Sequence, residues 1–415
     1  MPPKIKLRTG LIAALDVGTT KVCCFIARAE EDVLKVVGIG HQRSLGLRNG
    51  VVIDMDEVEA SIRAAVAAAE QMAGERINRV VVNVSGGRPH SSKIEVEVSV
   101  DGRQIDDDDV RRIVDYARRQ KMTGDHDLIH CISVGYSIDG ANGIRDPRGM
   151  FGNRLGVSLH MVAAQAGAVR NLRLVVERCH LDVEAMVVSP YASGLACLVD
   201  DEKELGVTAI DMGGGITAVG VFENGQVIHV ACLPIGGQHV TGDIAKGLST
   251  PVANAERLKT LYGSAMPSPS DAREILKVPL VGEDDESAAN QVPRSMLVQI
   301  IQPRIEETFE LVRSHLEANG LARNAGRLVV LTGGAAQLQG VREAAALILD
   351  KQVRLGRPAV GLRGLAEATG GPEFATCAGL LKYATHIHGD TPARQTPSKA
   401  TNRFGWLGEW LRTNF

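Results

Sequence analysis

The sequence predicts an α/β fold made of two duplicated halves that face each other across a cleft. Three observations carry that prediction. Apolar, strand-like runs alternate with helix-like stretches along most of the chain. One strand–turn–strand pattern, with an aspartate entering the turn, occurs twice. Between the two copies, a segment of different character (86–160) reads as an insertion.

Apolar runs at Leu11–Leu15, Val22–Ala27 and Val33–Ile39 are separated by turn residues and read as three successive strands. Asp54 or Asp56 then caps an alanine-rich helix reaching Met72, and Val80–Val84 is a further strand ending in Gly86-Gly87. The inserted segment alternates at Ile94, Val96, Val98 and Val100, and carries Asp106–Asp109 directly before the helical stretch Val110 to Arg119. That acidic run suits a helix N-terminus, where carboxylates meet the positive end of the dipole; a metal site is the other reading. Strand and helix signals resume from Leu159 to Leu198. Residues 264–296 hold prolines, serines and the acidic run Glu283–Glu286, and read as a surface loop. A helix from about Pro303 to Asn319 precedes a strand at Leu328–Leu331. The stretch 386–402, rich in Thr, Pro and Ser, reads as a linker before a distinct tail.

A chain of 415 residues accommodates two or more domains, and 44% apolar with 23% charged residues is ordinary for a globular protein. The formal net charge of −3 argues against nucleic acid as the main ligand. Seven scattered cysteines with no C-x-x-C pair suggest neither zinc nor redox chemistry, and fit a reducing compartment. Near the basic N-terminus (Lys4, Lys6, Arg8), the apolar run before Asp16 is too short for a signal peptide or membrane span.

The duplication is the most informative feature. Ala13-Ala14-Leu15-Asp16-Val17-Gly18-Thr19-Thr20 is matched by Thr208-Ala209-Ile210-Asp211-Met212-Gly213-Gly214-Gly215. Each copy continues through a second strand, a polar turn and a third apolar run, ending in Gly38-Ile39-Gly40 and Ile235-Gly236-Gly237. Glycines and threonines in a tight hairpin present backbone N–H groups that cradle phosphate, and an aspartate at a strand end holds the hydration shell of Mg²⁺. Two such hairpins across a cleft would grip a triphosphate from both sides. Asp16 and Asp211 are the metal candidates; Gly18, Thr19, Thr20 and Lys21 face phosphate from one side, and Gly213, Gly214, Gly215 and Thr217 from the other. Gly213-x-Gly215-x-x-Ala218 is not a dinucleotide fingerprint, because it leads into a strand, and no P-loop motif occurs. Each loop by itself is also compatible with an ordinary glycine turn; the repetition favours the phosphate reading.

These loops resemble the phosphate 1 and phosphate 2 motifs of the actin, heat-shock chaperone and sugar-kinase superfamily. Val329-Val330-Leu331-Thr332-Gly333-Gly334-Ala335 is similar to its adenosine motif, with Gly333 and Gly334 against the adenosine. Gly237 joins that set, and Glu256 and Lys259 stand where the superfamily reaches ribose and adenine; alone, they would read as a solvated helix face. Within the superfamily the chain resembles the FtsA family of cell-division proteins, through Ala14–Lys21, Val187–Ala196, Glu204–Gly215, Val330–Gln337 and Phe374–Tyr383. The resemblance implies an actin-like (ribonuclease H-like) fold with subdomain 1A at 1–85 and 161–203, and 1C at 86–160. It places 2A at 204–240 and 316–370, 2B at 241–315, and a helix returning to 1A at 371–385. It further implies ATP and Mg²⁺ as cofactors, self-association into filaments, and recruitment of later division proteins through 1C. FtsZ would dock its C-terminal peptide on 2B, with Arg304 (in Ile301-Gln302-Pro303-Arg304) and Arg294 as candidate contacts; both also suit ordinary surface arginines. Two departures point to slow or absent hydrolysis. Ser189 precedes Pro190 where many relatives carry a water-positioning glutamate, and the second loop continues Ile216-Thr217-Ala218.

Both tryptophans fall in the last ten residues. Wound as a helix at about 100° per residue, 403–415 puts Phe404, Leu407, Leu411 and Phe415 on one side, flanked by Trp406 and Trp410, with Glu409, Arg412 and Thr413 opposite. Such a helix lies in a lipid headgroup region but is too short to span a bilayer; docking on the protein's own core is the other reading. A flexible linker of about 17 residues would reach roughly 20–25 Å. With the family resemblance, this predicts a peripheral protein on the cytoplasmic face of the inner membrane at the division site, bound to inner-leaflet lipids. A small-molecule kinase of the superfamily, a pilus-assembly relative and an MreB-like filament protein are the alternatives.

Overall fold

The computed structural model describes residues 10–30, 33–120, 125–283, 289–321, 326–358, 362–364 and 369–385. Its first sheet has six strands in the order Asp182–Val188, Arg79–Val84, Gly10–Val17, Lys21–Glu30, Val33–Arg43 and Leu362–Gly364. The second begins in the same manner: Gln352–Leu355, Leu328–Thr332, Val207–Met212, Thr217–Glu223, Gln226–Leu233. In both, an antiparallel meander of three strands is extended by two strands that join in parallel. The repeat seen in the residues is therefore a repeat of topology. The short strand Leu362–Gly364 pairs in parallel with Val33–Arg43, so the chain reaches the first sheet before residue 371.

Two cores pack against these sheets, and the larger one also takes in Val207, Ala209, Phe222 and Val330 from the second sheet. The first is packed by the helices Met55–Ala73, Ala166–Arg178, Ser189–Cys197 and Ala375–Thr385, and Phe25 and Ile62 are fully buried in it. The second gathers Ile210, Met212, Phe309 and Leu331 beneath the helices Gly237–Gly247, Arg294–Ala318 and Val341–Leu349. The helix Met55–Ala73 starts where Asp54 accepts hydrogen bonds from the amides of Asp56 and Glu57, both at 3.0 Å.

The inserted segment adds His90–Ser99, Arg154–Gln165, His126–Ile138 and Ala141–Ile144 to the second sheet, making nine strands, and covers one face with the helix Asp107–Gln120. The two parts of that sheet meet at one residue pair, Ala231 opposite His90. Ser91 reinforces the seam: its hydroxyl accepts from the Val230 amide at 2.8 Å and donates to the Val230 carbonyl at 3.2 Å. The acidic run is a helix start. Asp106 accepts from the amides of Asp108 and Asp109, and the buried Asp109 forms a fork with Arg103 at 2.7 and 2.5 Å. No group of three or more His, Cys, Asp or Glu side chains that could hold a metal occurs among the described residues.

Two expectations are corrected. The stretch 264–296 is not simply a loop: Ile275–Val278 and Asn290–Pro293 pair antiparallel within it. The long helix runs from Arg294 to Ala318, not from Pro303, which sits inside it. Leu297, Val298 and Ile301 continue the buried face of the helix ahead of the proline, and that burial outweighs the lost hydrogen bond. The linker 386–402 and the tail residues Phe404, Trp406, Leu407, Trp410, Leu411 and Phe415 lie outside the described residues. Among the described residues, no helix is long and apolar enough to cross a membrane.

Candidate functional site

The two glycine hairpins are built alike at the level of atoms. The Gly18 amide donates to the Lys21 carbonyl at 2.9 Å, and the Gly213 amide to the Ile216 carbonyl at 2.8 Å. This leaves Thr19-Thr20 and Gly214-Gly215 as two-residue tips. The tips meet across a pseudo-twofold axis: a Cβ on Gly214 would lie 2.3 Å from Cγ2 of Thr20, and one on Gly215 2.8 Å from Cγ2 of Thr19. Glycine in the second tip is thus what lets the threonines of the first come close. The amides of Gly237 and Gln238 donate to the carbonyls of Gly213 and Gly214 at 3.0 and 2.7 Å, so a helix begins against the second tip.

Asp16, Gly18, Thr19, Thr20 and Lys21 line one cavity together with Asp211, Gly213, Gly214, Gly215, Gly333 and Gly334. Burial pushes the Asp16 carboxyl up to about 6; Lys21 opposes the shift and Asp211 adds to it. Asp211 is also raised, chiefly by desolvation, while a hydrogen bond from Thr376 (2.8 Å) and the charge of Lys21 oppose the rise. Lys21 Nζ lies 3.8 Å from Asp16 Oδ2, donates to the Glu373 carbonyl and sits 4.7 Å from the centre of the Phe374 ring. Two desolvated carboxylates that share one ammonium are short of positive charge, and a hard divalent cation with oxygen ligands suits them. Gly333, at φ +88°, brings backbone so close that a Cβ would lie 2.3 Å from Asp211 Oδ1. These residues fit a Mg²⁺–triphosphate.

An adjoining cavity of about 530 Å³ is lined by Gly237, Glu256, Lys259, Gly334, Ala335 and Gln337, within the usual size for small-molecule sites. Glu256 and Lys259 are joined at 2.6 Å, and Lys259 also donates to Thr241 Oγ1 at 2.9 Å and to the Gly237 carbonyl at 3.2 Å. Both residues line this cavity, Lys259 largely buried and Glu256 still 52% exposed to solvent on its helix.

Thr217 is a correction. It is fully buried, and its hydroxyl donates to the Ile235 carbonyl at 2.8 Å. Ile216 and Ala218 line the cleft, and alternation along the strand points Thr217 away from it. The arginines of the outer segment are engaged within the chain. Arg304 makes a two-pronged pair with Asp243 at 2.6 and 3.1 Å, and also meets Glu307. Arg294, 13% exposed, donates to Asp271 Oδ1, the Tyr262 carbonyl and Gln339 Oε1.

Sequence reasoning missed Asn83. Its Oδ1 accepts from the Val17 amide at 2.7 Å, and its Nδ2 donates to Ser189 Oγ at 3.1 Å. One amide side chain thereby ties the first hairpin to Ser189, where the superfamily often has its glutamate. The carboxylates that line the cleft are Asp16, Asp211 and Glu373.

The profile of the family described as Cell division protein FtsA matches residues 208–379, and that of the SHS2 domain inserted in FTSA matches 86–163. Cell division protein FtsA of Rhizobium meliloti (strain 1021) is 44% identical, covering 100% of this chain and 97% of its own. The proteins of the same name from Pseudomonas aeruginosa and Escherichia coli (strain K12) are 36% and 30% identical, covering 92% and 98% of this chain and 90% and 98% of their own. Among solved structures, a PilM-PilN type IV pilus biogenesis complex superposes with a TM-score of 0.64 at 17% identity, covering 90% of this chain and 98% of that one. MreB5 of Spiroplasma citri bound to ADP gives 0.54 at 13%, covering 91% and 97%. At those identities they establish the actin-like fold, whereas the full-length relatives and the inserted domain together establish that the chain belongs to the FtsA family of cell division proteins.

Proposed function

We propose that the chain binds Mg²⁺–ATP between its two hairpins, assembles with copies of itself, and tethers FtsZ to the cytoplasmic face of the inner membrane through its C-terminal tail. Later division proteins would be recruited through the insertion at 86–160. One observation carries the nucleotide half of this reading: two matched glycine turns, each entered by an aspartate, line one cavity. When bound, Mg²⁺ supplies the positive charge that this cavity lacks. The chain's residues do the rest: the backbone amides of both tips face the phosphates, Lys21 adds an ammonium, and Gly237, Glu256, Lys259 and Gly334 surround the nucleoside. Ser189 offers only a hydroxyl where water would have to be activated, so ATP acts mainly as an assembly cofactor with slow or no turnover. A single amphipathic tail binds lipid weakly, and assembly raises its avidity.

The test is sedimentation with anionic lipid vesicles, comparing the full chain with one ending at Asn402, each with and without ATP. The full chain should pellet with lipid, more so with ATP, and the shortened chain should stay in solution. Equal behaviour of the two would overturn the tether. For FtsZ, the charge-removing pair Asp243→Asn with Arg304→Gln avoids leaving Asp243 as a carboxylate without its guanidinium. It should weaken binding of the FtsZ C-terminal peptide about tenfold while leaving ATP affinity intact, the scale of one charged contact.

A further inference from the structure

The segment Pro372–Thr376, where the helix Ala375–Thr385 begins, touches the first hairpin, the second hairpin and the adenosine turn. The Pro372 carbonyl accepts from the Gly333 amide at 3.1 Å and from the Thr332 hydroxyl at 3.2 Å, both in the adenosine strand and turn. Glu373 accepts from Gln337 Nε2 at 2.9 Å through its side chain and from Lys21 through its carbonyl. The Phe374 ring faces the same ammonium. Thr376 donates its hydroxyl to Asp211 Oδ2 at 2.8 Å. Four residues within five positions thus bind the first hairpin, the second hairpin and the adenosine turn to one another.

We infer that Thr376, within this segment, is the positioning residue that aims Asp211 at the cation. The inference rests on the nucleotide reading proposed above. Asp211 reaches the cleft from the end of a strand, with an aspartate's two torsions free to turn it. A donor on Oδ2 fixes one oxygen and with it the plane of the carboxylate, whose Oδ1 lies beside the Gly333 backbone in the lining of the cleft. Orientation of a ligating carboxylate by an outer hydrogen bond is a common determinant of metal affinity. Ser193, fully buried, also hydrogen-bonds Asp211 but comes from the helix at Ser189–Cys197. It is retained in the test.

The test uses the full chain carrying Thr376→Val or Thr376→Ser, with ATP affinity measured in Mg²⁺ and in EDTA. Thr376→Val should weaken Mg²⁺–ATP binding about tenfold, Thr376→Ser should restore it to within about twofold, and all three proteins should bind equally in EDTA. A thermal melt of each nucleotide-free variant separates folding damage from this effect. Equal Mg²⁺–ATP affinity for the valine and serine variants, or equal losses with and without Mg²⁺, overturns the inference. Failure of the unmodified chain to bind ATP at all would instead remove the nucleotide reading on which it rests.

Discussion

The two hairpins share a backbone but divide the chemistry. Position by position, Thr19 and Thr20 correspond to Gly214 and Gly215, Lys21 to Ile216, and Val22 to Thr217. The first hairpin brings side chains and a charge; the second brings bare backbone that those side chains lie against. Their aspartates differ as well. Asp16 has only the Lys21 ammonium, 3.8 Å away, to offset its burial, while Asp211 receives a hydroxyl hydrogen bond. A duplicated unit has thus been divided into a charged half and a permissive half, and each substitution below sets one half against the other.

The largest effect should come from Asp16→Asn. It removes one of the two carboxylates and should weaken Mg²⁺–ATP binding at least 100-fold, by the scale of lost metal ligands and their partners. It should also stabilise the nucleotide-free protein. Asp16 titrates at about 6 when folded and near 3.8 when unfolded. A folded value above the unfolded one means that its favourable term is fully present below the unfolded value and is lost as pH rises through about 6. At neutral pH the ionised, buried group therefore costs stability, on the order of 1–3 kcal/mol. Thermal melts should show Asp16→Asn above the parent at pH 7.5, with the gap closing towards pH 5. Asp211→Asn should gain less, because it disturbs the Thr376 hydrogen bond. Equal gains from the two would erase the proposed asymmetry.

Next in size is Gly214→Ala. Its Cβ would fall 2.3 Å from Cγ2 of Thr20, and overpacking of that kind costs about 1–3 kcal/mol. Adding Thr20→Ala should recover most of the stability, read as a denaturant midpoint with an unchanged slope. An additive double variant would mean that the tips do not depend on each other's size.

What the residues made legible was the local chemistry. Asp–x–Gly before two small residues states a turn, a strand end and a ligand in one pattern, and its repetition announced the two sheets. The strand set 11–41 and the Asp54 cap were equally local. Contacts distant in sequence were not legible. Thr376 reaches Asp211 across 165 positions, and Asn83 reaches Ser189 across 106. Asn83 did leave a signal, as the one polar residue in the otherwise apolar run that follows Arg79 in the strand Arg79–Val84. Pro303 misled because a proline marks a helix start more often than an interior, and the buried face at Leu297, Val298 and Ile301 was needed to show otherwise.

Thr217 is the instructive miss, and it gives the smallest effect. A hydroxyl two residues past a phosphate loop reads as a ligand, but parity turns it away from the cleft, and the first half does without one, carrying Val22 at the same place. Thr217→Val therefore installs the first half's own solution in the second. It keeps the volume and leaves the Ile235 carbonyl without its donor, at a cost of about 1 kcal/mol. ATP affinity should stay within about twofold. Both are read on one protein sample, by a urea midpoint and an ATP titration. A tenfold loss of affinity with unchanged stability would turn the hydroxyl back towards the phosphates and restore the symmetry that the two halves otherwise lack.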